Sequence, residues 1–424
     1  MKMMNAIPDG KGGSKVFINF EKALKLIKDI DNITLGVPKI IYLTGWQYNG
    51  HDDLYPAFFE VNKALKRPQD KDAKESLLWL MREAKQYHTT VSLHINMTDA
   101  YNNSMMWKEY VENDLISKNA DGSLMEIGFY NNLKSYQINY KNEWEKGFAQ
   151  KRIDSLLKLL PQLKEAGTIH LDAWISRESK GHNESLSTER EYQMKICRYW
   201  LEQGIDPTSE WVMDYMTGLI PYYWHFNHRT QADYLNVPAN ICTGSHMNPD
   251  LRNSDFGLEF LFGTSMYGER RFPSENNKIA DNEWEKGFTE DFFLNFPQYY
   301  YLNGLKRLQV TGEKKQRVAY FSDDVKVSLA DSTVKKNNLT LRDKNTIFFP
   351  VAWLKNNSYV IFSTTNQVGR SFGVPAEWKG VKTISVQKVT ANGLSDRRVV
   401  SLKKGSISTS INGNTPLLLT PVKL

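Results

Sequence analysis

The sequence predicts an α/β protein, a (β/α)8 TIM-type barrel followed by an all-β antiparallel sandwich. Three observations carry this. From about residue 16 to 310, short apolar runs alternate with helical segments, the pattern of parallel βα units. Nearly every run ends in polar or aromatic residues, as barrel strands do where they meet at one mouth. After about Gln309 the helical spacing stops, and short alternating runs divided by Asn, Gly and Asp turns take over, as in an antiparallel sandwich. The expected division is a catalytic barrel over 16–309 and a sandwich over 310–424. With 424 residues the chain is long enough for both.

The helices come first in the argument. Phe20, Ala23, Leu24 and Ile27 form one apolar stripe at i, i+3, i+4, i+7. Leu77, Leu80, Met81 and Ala84 form a second, and Ile153, Leu156, Leu157 and Leu160 a third. A fourth helix is expected to open with Thr188 and Glu191 in capping-box spacing, to carry Tyr192, Ile196 and Tyr199 on one face, and to stop at Gly204. Between them lie strand-like runs at Lys39–Trp46, Thr90–Met97, Thr168–Trp174, Thr208–Val212, Asn240–Gly244 and Phe260–Tyr267. An open doubly wound sheet fits the same alternation, but no GxGxxG or GxxxxGK[ST] follows the first strand, which weakens its nucleotide-binding version; the polar and aromatic strand ends favour the barrel. The sandwich strands are expected at Arg317–Ser322, Asn345–Trp353, Tyr359–Thr364, Thr383–Val389 and Ser406–Ile411.

Composition sets outer bounds. Hydrophobic residues at 41% and charged residues at 24% describe a globular chain. A mean hydropathy of -0.52 and no apolar run of about 18 residues leave no membrane span. Cys197 and Cys242 are too few for a disulfide framework and have no CxxC spacing. The net charge of +6 is uneven: from Thr311 onward there are 18 basic and 7 acidic residues. These basic residues fall on alternate strand positions and in turns, which reads as solvated sheet faces, so no nucleic-acid partner is expected. The first residues, MKMMNAIPDGKGGSKVF, hold a lysine but no apolar stretch, so no signal peptide is read in them. The 11 tryptophans suit a large core or a sugar-binding cleft, because pyranose C–H faces stack on aromatic rings.

Asp172 ends the run TIHLDAW and Glu210 the run TSEWV, as expected of successive βα units. Neighbouring strands lie about 4.8 Å apart, so two carboxylates at adjacent strand tips can approach the roughly 5–5.5 Å of a retaining glycosidase. One carboxylate would attack the anomeric carbon and one carboxyl would protonate the leaving oxygen. Trp174 and Trp211 would wall the pair and stack on sugar. The plainer alternative is two structural acids salt-bridged at the rim. In the loop Gly45–Asp53, His51 and Asp52 would grip adjacent hydroxyls, although an Asx-type turn at Asp52 explains the same residues. His94, Asn96 and Asp99 close the second strand. With His51, Asp52 and Asp172 they allow a hydrolase metal centre as an alternative, but no HxH or HExxH is present. Tyr222, Tyr223, Trp224, His225 and His228 read as a cleft loop or as packing. Ser245 and His246, being adjacent on a strand, face opposite ways and do not make a triad.

Together GWQYNGHD (Gly45–Asp52), SLHINMTDAY (Ser92–Tyr101), HLDAW (His170–Trp174), TSEW (Thr208–Trp211) and AYFSDD (Ala319–Asp324) resemble the catalytic region of glycoside hydrolase family 101, the endo-α-N-acetylgalactosaminidases. The resemblance runs from roughly Ile40 to Asp324. It implies a (β/α)8 barrel with a following β-sandwich, and retaining release of a Gal-GalNAc disaccharide from Ser or Thr of mucin-type glycoproteins. It also implies Asp172 as nucleophile, Glu210 as general acid/base and Asp52 as a carboxylate on substrate hydroxyls, with Trp46, His51, His94 and Asn96 lining the pocket. Asp53-Leu54-Tyr55-Pro56 departs from the Gly-His-Pro-Asp stretch usual in that family. An extracellular or periplasmic location follows from the resemblance alone. The expectation is a retaining α-glycosidase acting on a glycan or glycoprotein, without cofactor or metal. Its rivals are a metal-dependent hydrolase in the same barrel and a non-catalytic glycan-binding protein.

Overall fold

Four parallel pairings, in chain order, make the frame. In the computed structural model of the protein, which describes residues 1–424 apart from 212, 222, 226–259, 262–268, 281–282, 403–404 and 423–424, a six-stranded sheet runs β1 (Lys2–Met4), β2 (Lys39–Thr44), β3 (Thr89–Asn96), β4 (Thr168–Asp172), β5 (Asp206–Trp211) and β6 (Tyr223–His225). Each strand lies beside the next in sequence. The first four of these pairings are parallel in register, as with Tyr42 beside Ser92, His94 beside His170, and His170 beside Thr208. A doubly wound sheet reverses its order at a switch point. This one does not, and the order is that of a barrel. β1 was not foreseen, because three residues are too few for a period-two signal.

Helices follow where the apolar stripes place them: α1 (Phe20–Ile33), α2 (Ala73–Glu83), α3 (Phe148–Leu159) and α4 (Leu186–Glu202). Leu77, Leu80 and Met81 of α2 and Ile153, Leu156 and Leu157 of α3 are buried. The expected start of α4 is corrected. Its cap is Ser185, whose side chain accepts the Thr188 N–H, so Thr188 sits inside the first turn and Glu191 takes no capping part. An insertion after β3 was also unforeseen. It is a three-stranded antiparallel sheet of Asp99–Tyr101, Leu133–Gln137 and Glu126–Tyr130. Its hairpin turns at Asn131 and Asn132, both at positive φ, as a two-residue hairpin loop requires.

The run Asn240–Gly244, most of Phe260–Tyr267, and Tyr222, His228, Ser245 and His246 lie outside the described residues. Phe260 and Leu261 are helical and not strand, since a short apolar run alone cannot separate a buried strand from a buried helix.

The chain divides into two units. One holds Met1–Lys25, Lys39–Trp224 and Gly268–Ile279, and the other includes Leu26–Pro38 and Ala280–Leu424. In the second, ten antiparallel strands form one sheet and the strands Gln367–Gly373 and Ser406–Ile411 form another. Phe348 and Phe372 meet across these sheets at 5.1 Å between ring centres. Helix α5 (Trp284–Asn303) belongs to this unit, stacking Phe293 on Phe362 and taking a hydrogen bond from Arg342 to the Leu294 carbonyl. All five expected sandwich strands are present, at Val318–Phe321, Thr346–Pro350, Tyr359–Ser363, Thr383–Thr390 and Ser406–Ile411.

Candidate active site

Side chains two apart on a strand share a face. On β4 that puts Thr168, His170 and Asp172 together, and the parallel register sets His94 and Thr208 beside His170 and Asn96 beside Asp172. The resulting layers are polar. Tyr42 Oη lies 2.7 Å from Thr168 Oγ1, and His170 Nδ1 lies 2.8 Å from Thr208 Oγ1. Above them, at the strand ends, stand Asp172 and Glu210. The Ala173 N–H, following directly on Asp172, donates to Glu210 Oε2 at 3.1 Å. Ala173 takes a φ of 44°, which turns the chain at the end of β4 and aims that N–H toward the neighbouring strand.

Two imidazoles flank Asp172. His94 Nε2 is 3.4 Å from one carboxylate oxygen and His51 Nε2 is 3.9 Å from the other. The rings of His51 and His94, and those of His94 and His170, are each 5.1 Å apart. Burial pushes the His51 imidazole down to about 3, against the pull of Asp172, so the ring is neutral at ordinary pH. Asp52, 3.5 Å from His51 Nε2, is held well above the usual carboxylate range by burial and then by the charges of Asp172 and Asp99. Asp99 is raised to about 6, chiefly by burial, while Ser135 Oγ and Asn96 Nδ2 donate to it.

The loop that carries His51 and Asp52 is fitted to its neighbours. The His51 N–H donates to the Ala6 carbonyl at 2.9 Å. A Cβ on Gly45 would lie 1.9 Å from that same oxygen, and one on Gly50 would lie 2.5 Å from Ile7 Cα; both glycines have positive φ. From the other side Asn131, at the hairpin tip, donates to the His51 and Asp52 carbonyls at 3.1 and 3.2 Å. Asp53 closes the loop by accepting from Asn49 and Asn103.

Over residues 10–230 the sequence matches the family described as endo-alpha-N-acetylgalactosaminidase. The chain belongs to glycoside hydrolase family 101. The matched span, half of the chain, contains His51, Asp52, His94, Asp172 and Glu210. Among solved structures, the chain is similar to alpha-N-acetylgalactosaminidase NagBb from Bifidobacterium bifidum. The GalNAc complex gives a TM-score of 0.58 at 13% identity, covering 79% of this chain and 56% of that one. The ligand-free form gives 0.55 at the same identity and coverage. At that identity the likeness is one of fold, and this chain spans little more than half of that protein's length. No curated protein sequence matches it.

Within this family 101 barrel the remaining expected residues are placed as follows. Trp46 is wholly buried and its indole N–H donates to the His94 carbonyl at 3.1 Å. Trp174 is wholly buried beside Tyr140, and Asn96 spends its side-chain oxygen on the Thr98 and Asp99 N–H groups. The side chain of Trp211 lies outside the described set, although its backbone ends β5. Three residues escaped the sequence reading. His170 was readable, because it precedes Asp172 by two on one strand and therefore shares its face. Tyr130, next to Asn131 at the hairpin tip, is 48% exposed, and its phenol is raised by burial and then by the charges of Asp99, Asp52 and Asp172. Arg152 is fully buried on α3. It pairs with Glu143 at 2.6 Å and donates to the Pro56 and Asn96 carbonyls, so it ties the loop after Asp52 to the end of β3. No periodicity marks such an arginine.

Among the described residues two groups present metal-ligand atoms within 4.8 Å of one another: His51, His94 and Asp172, and His94, His170 and Glu210.

Proposed function

We propose that the protein is a retaining α-glycosidase that releases α-linked GalNAc-type sugars, including Gal-GalNAc, from O-glycans. One observation carries the reading: Asp172 and Glu210 end neighbouring parallel strands of consecutive βα units, joined through the Ala173 N–H. Membership of family 101 supports the same class.

In this reading the Asp172 carboxylate attacks the anomeric carbon while Glu210 delivers a proton to the departing Ser or Thr oxygen. His51 and His94, one at each oxygen of Asp172, fix the direction of attack. Water, activated by Glu210, then opens the glycosyl ester with the original configuration restored. Asp52, raised well above the usual carboxylate range, offers a carboxyl that can both donate to and accept from a sugar hydroxyl. Trp46 and Trp174, being buried, serve as the dry wall beneath the site.

The test is hydrolysis of aryl glycosides in both anomeric series, with NMR of the first-formed anomer. An α-linked substrate yielding the α product supports the reading. A β product, or no turnover of any α-GalNAc or Gal-GalNAc substrate, overturns it. The two histidine–carboxylate groups favour one rival, a metal-dependent hydrolase. Activity lost to a chelator and restored by metal would establish that instead.

A further inference from the structure

The carboxylate assigned as nucleophile is also the centre of a three-point ligand set. His94 Nε2 and His51 Nε2 stand 3.4 and 3.9 Å from its two oxygens, and one atom from each residue falls within 4.8 Å of the others. Ligands on a tetrahedral zinc, bound at about 2.0–2.1 Å, lie about 3.3–3.4 Å apart. His94 Nε2 already stands at that separation from Asp172 Oδ1, and His51 Nε2 approaches from the side of Oδ2. Two imidazole nitrogens and one carboxylate oxygen select a borderline divalent ion such as Zn²⁺ or Cu²⁺, and not Mg²⁺ or Ca²⁺, which require more oxygen ligands.

We propose that His51, His94 and Asp172 form a reversible binding site for a zinc-class divalent ion, and that the ion shuts the active site by occupying the place of the sugar. That the ion shuts an active site rests on the glycosidase reading; that it binds does not. Three protein ligands leave a coordination position open, whereas a structural zinc is enclosed by four. Histidines in tight sites also donate their second nitrogen to a fixed acceptor. His51 Nδ1 is buried with no hydrogen-bond partner, so this ring is not locked as a ligand and the ion exchanges. An ion on Asp172 removes the lone pairs needed for attack and blocks the anomeric carbon.

Equilibrium dialysis of the full chain against Zn²⁺ should give one equivalent bound, and Zn²⁺ should raise the melting temperature by mass action. Co²⁺ should give the intense visible absorption of a four-coordinate ion. His51→Gln and Asp172→Asn should each weaken Zn²⁺ binding at least tenfold; the melting shift in wild type keeps the site testable if a variant fails to fold. In activity, Zn²⁺ should raise the apparent KM on an aryl α-glycoside and leave kcat unchanged, with equal Mg²⁺ inert. Zinc bound by a chain that hydrolyses no α-glycoside sinks the glycosidase reading and leaves the site standing. Hydrolysis indifferent to millimolar Zn²⁺, with none retained on dialysis, sinks the site and leaves the glycosidase. Activation by Zn²⁺ overturns the inhibitory role.

Discussion

Every residue of Thr168–Asp172 is buried, and so is every residue of Tyr359–Ser363. The first reads Thr-Ile-His-Leu-Asp and the second Tyr-Val-Ile-Phe-Ser. Both strands sit between neighbours on each side and are covered on both faces. In the antiparallel sheet both faces are closed by apolar side chains, and burial itself is the stabilising term. In the parallel sheet only the face of Ile169 and Leu171 is of that kind. The other face holds groups that must each find a partner, as Thr168 does in Tyr42 and His170 in Thr208. Burial thus stabilises one unit directly. In the other it fixes the directions of polar groups around a site.

This contrast can be broken at several points. The largest effect belongs to Asp172→Asn, which should lower kcat on an α-GalNAc substrate by about 10³-fold or more while leaving the melting temperature near wild type. A large loss of stability without loss of rate would make Asp172 a structural acid. Next come two comparable core changes. Arg152→Met should cost about 3–5 kcal/mol, because Glu143 is left buried without its cation, and Arg152→Met with Glu143→Leu should recover most of it by calorimetry. Phe348→Ala in the other unit should also cost about 3–5 kcal/mol, and no second change should rescue it by restoring charge balance.

A more gradual effect is expected in the pH dependence. His51 titrates at about 3 in the fold and near 6.5 in the unfolded chain. Between those values the unfolded state binds the extra proton, so stability falls as pH falls, by up to about 1.4 kcal/mol per pH unit for one proton. His51→Gln should flatten that acid limb in melting temperature against pH; an unchanged limb would mean that His51 is not buried neutral. The smallest is Ser185→Ala, which removes the cap of α4 and should cost about 1 kcal/mol.

Much of this was legible beforehand. The sandwich strands and the edges of β2–β5 follow from alternation, and α1 to α3 from their stripes. Asp172 and Glu210 were singled out because a strand end in a βα unit is a place where chemistry is built, and they do stand on adjacent strands linked by the Ala173 N–H. The rest was hidden for physical reasons. A three-residue strand such as Lys2–Met4 has no period to display. The Asp99–Gln137 insertion turns on two asparagines at positive φ, and its strands of three to five residues are too short for a clear alternation. Arg152 sits beside Ile153 in an apolar stripe, and only the three-dimensional placement of the Asn96 and Pro56 carbonyls explains why a guanidinium belongs there.

The loop bearing His51 and Asp52 touches Ala6 and Ile7 through two glycines that no side chain can replace, and it hangs at its far edge from Asn131. Its position is therefore written in stretches of chain some forty residues before it and eighty after it. A change that lengthened the hairpin tip, or thickened residues 6 and 7, would re-aim the His51 and Asp52 side chains without altering a single barrel strand.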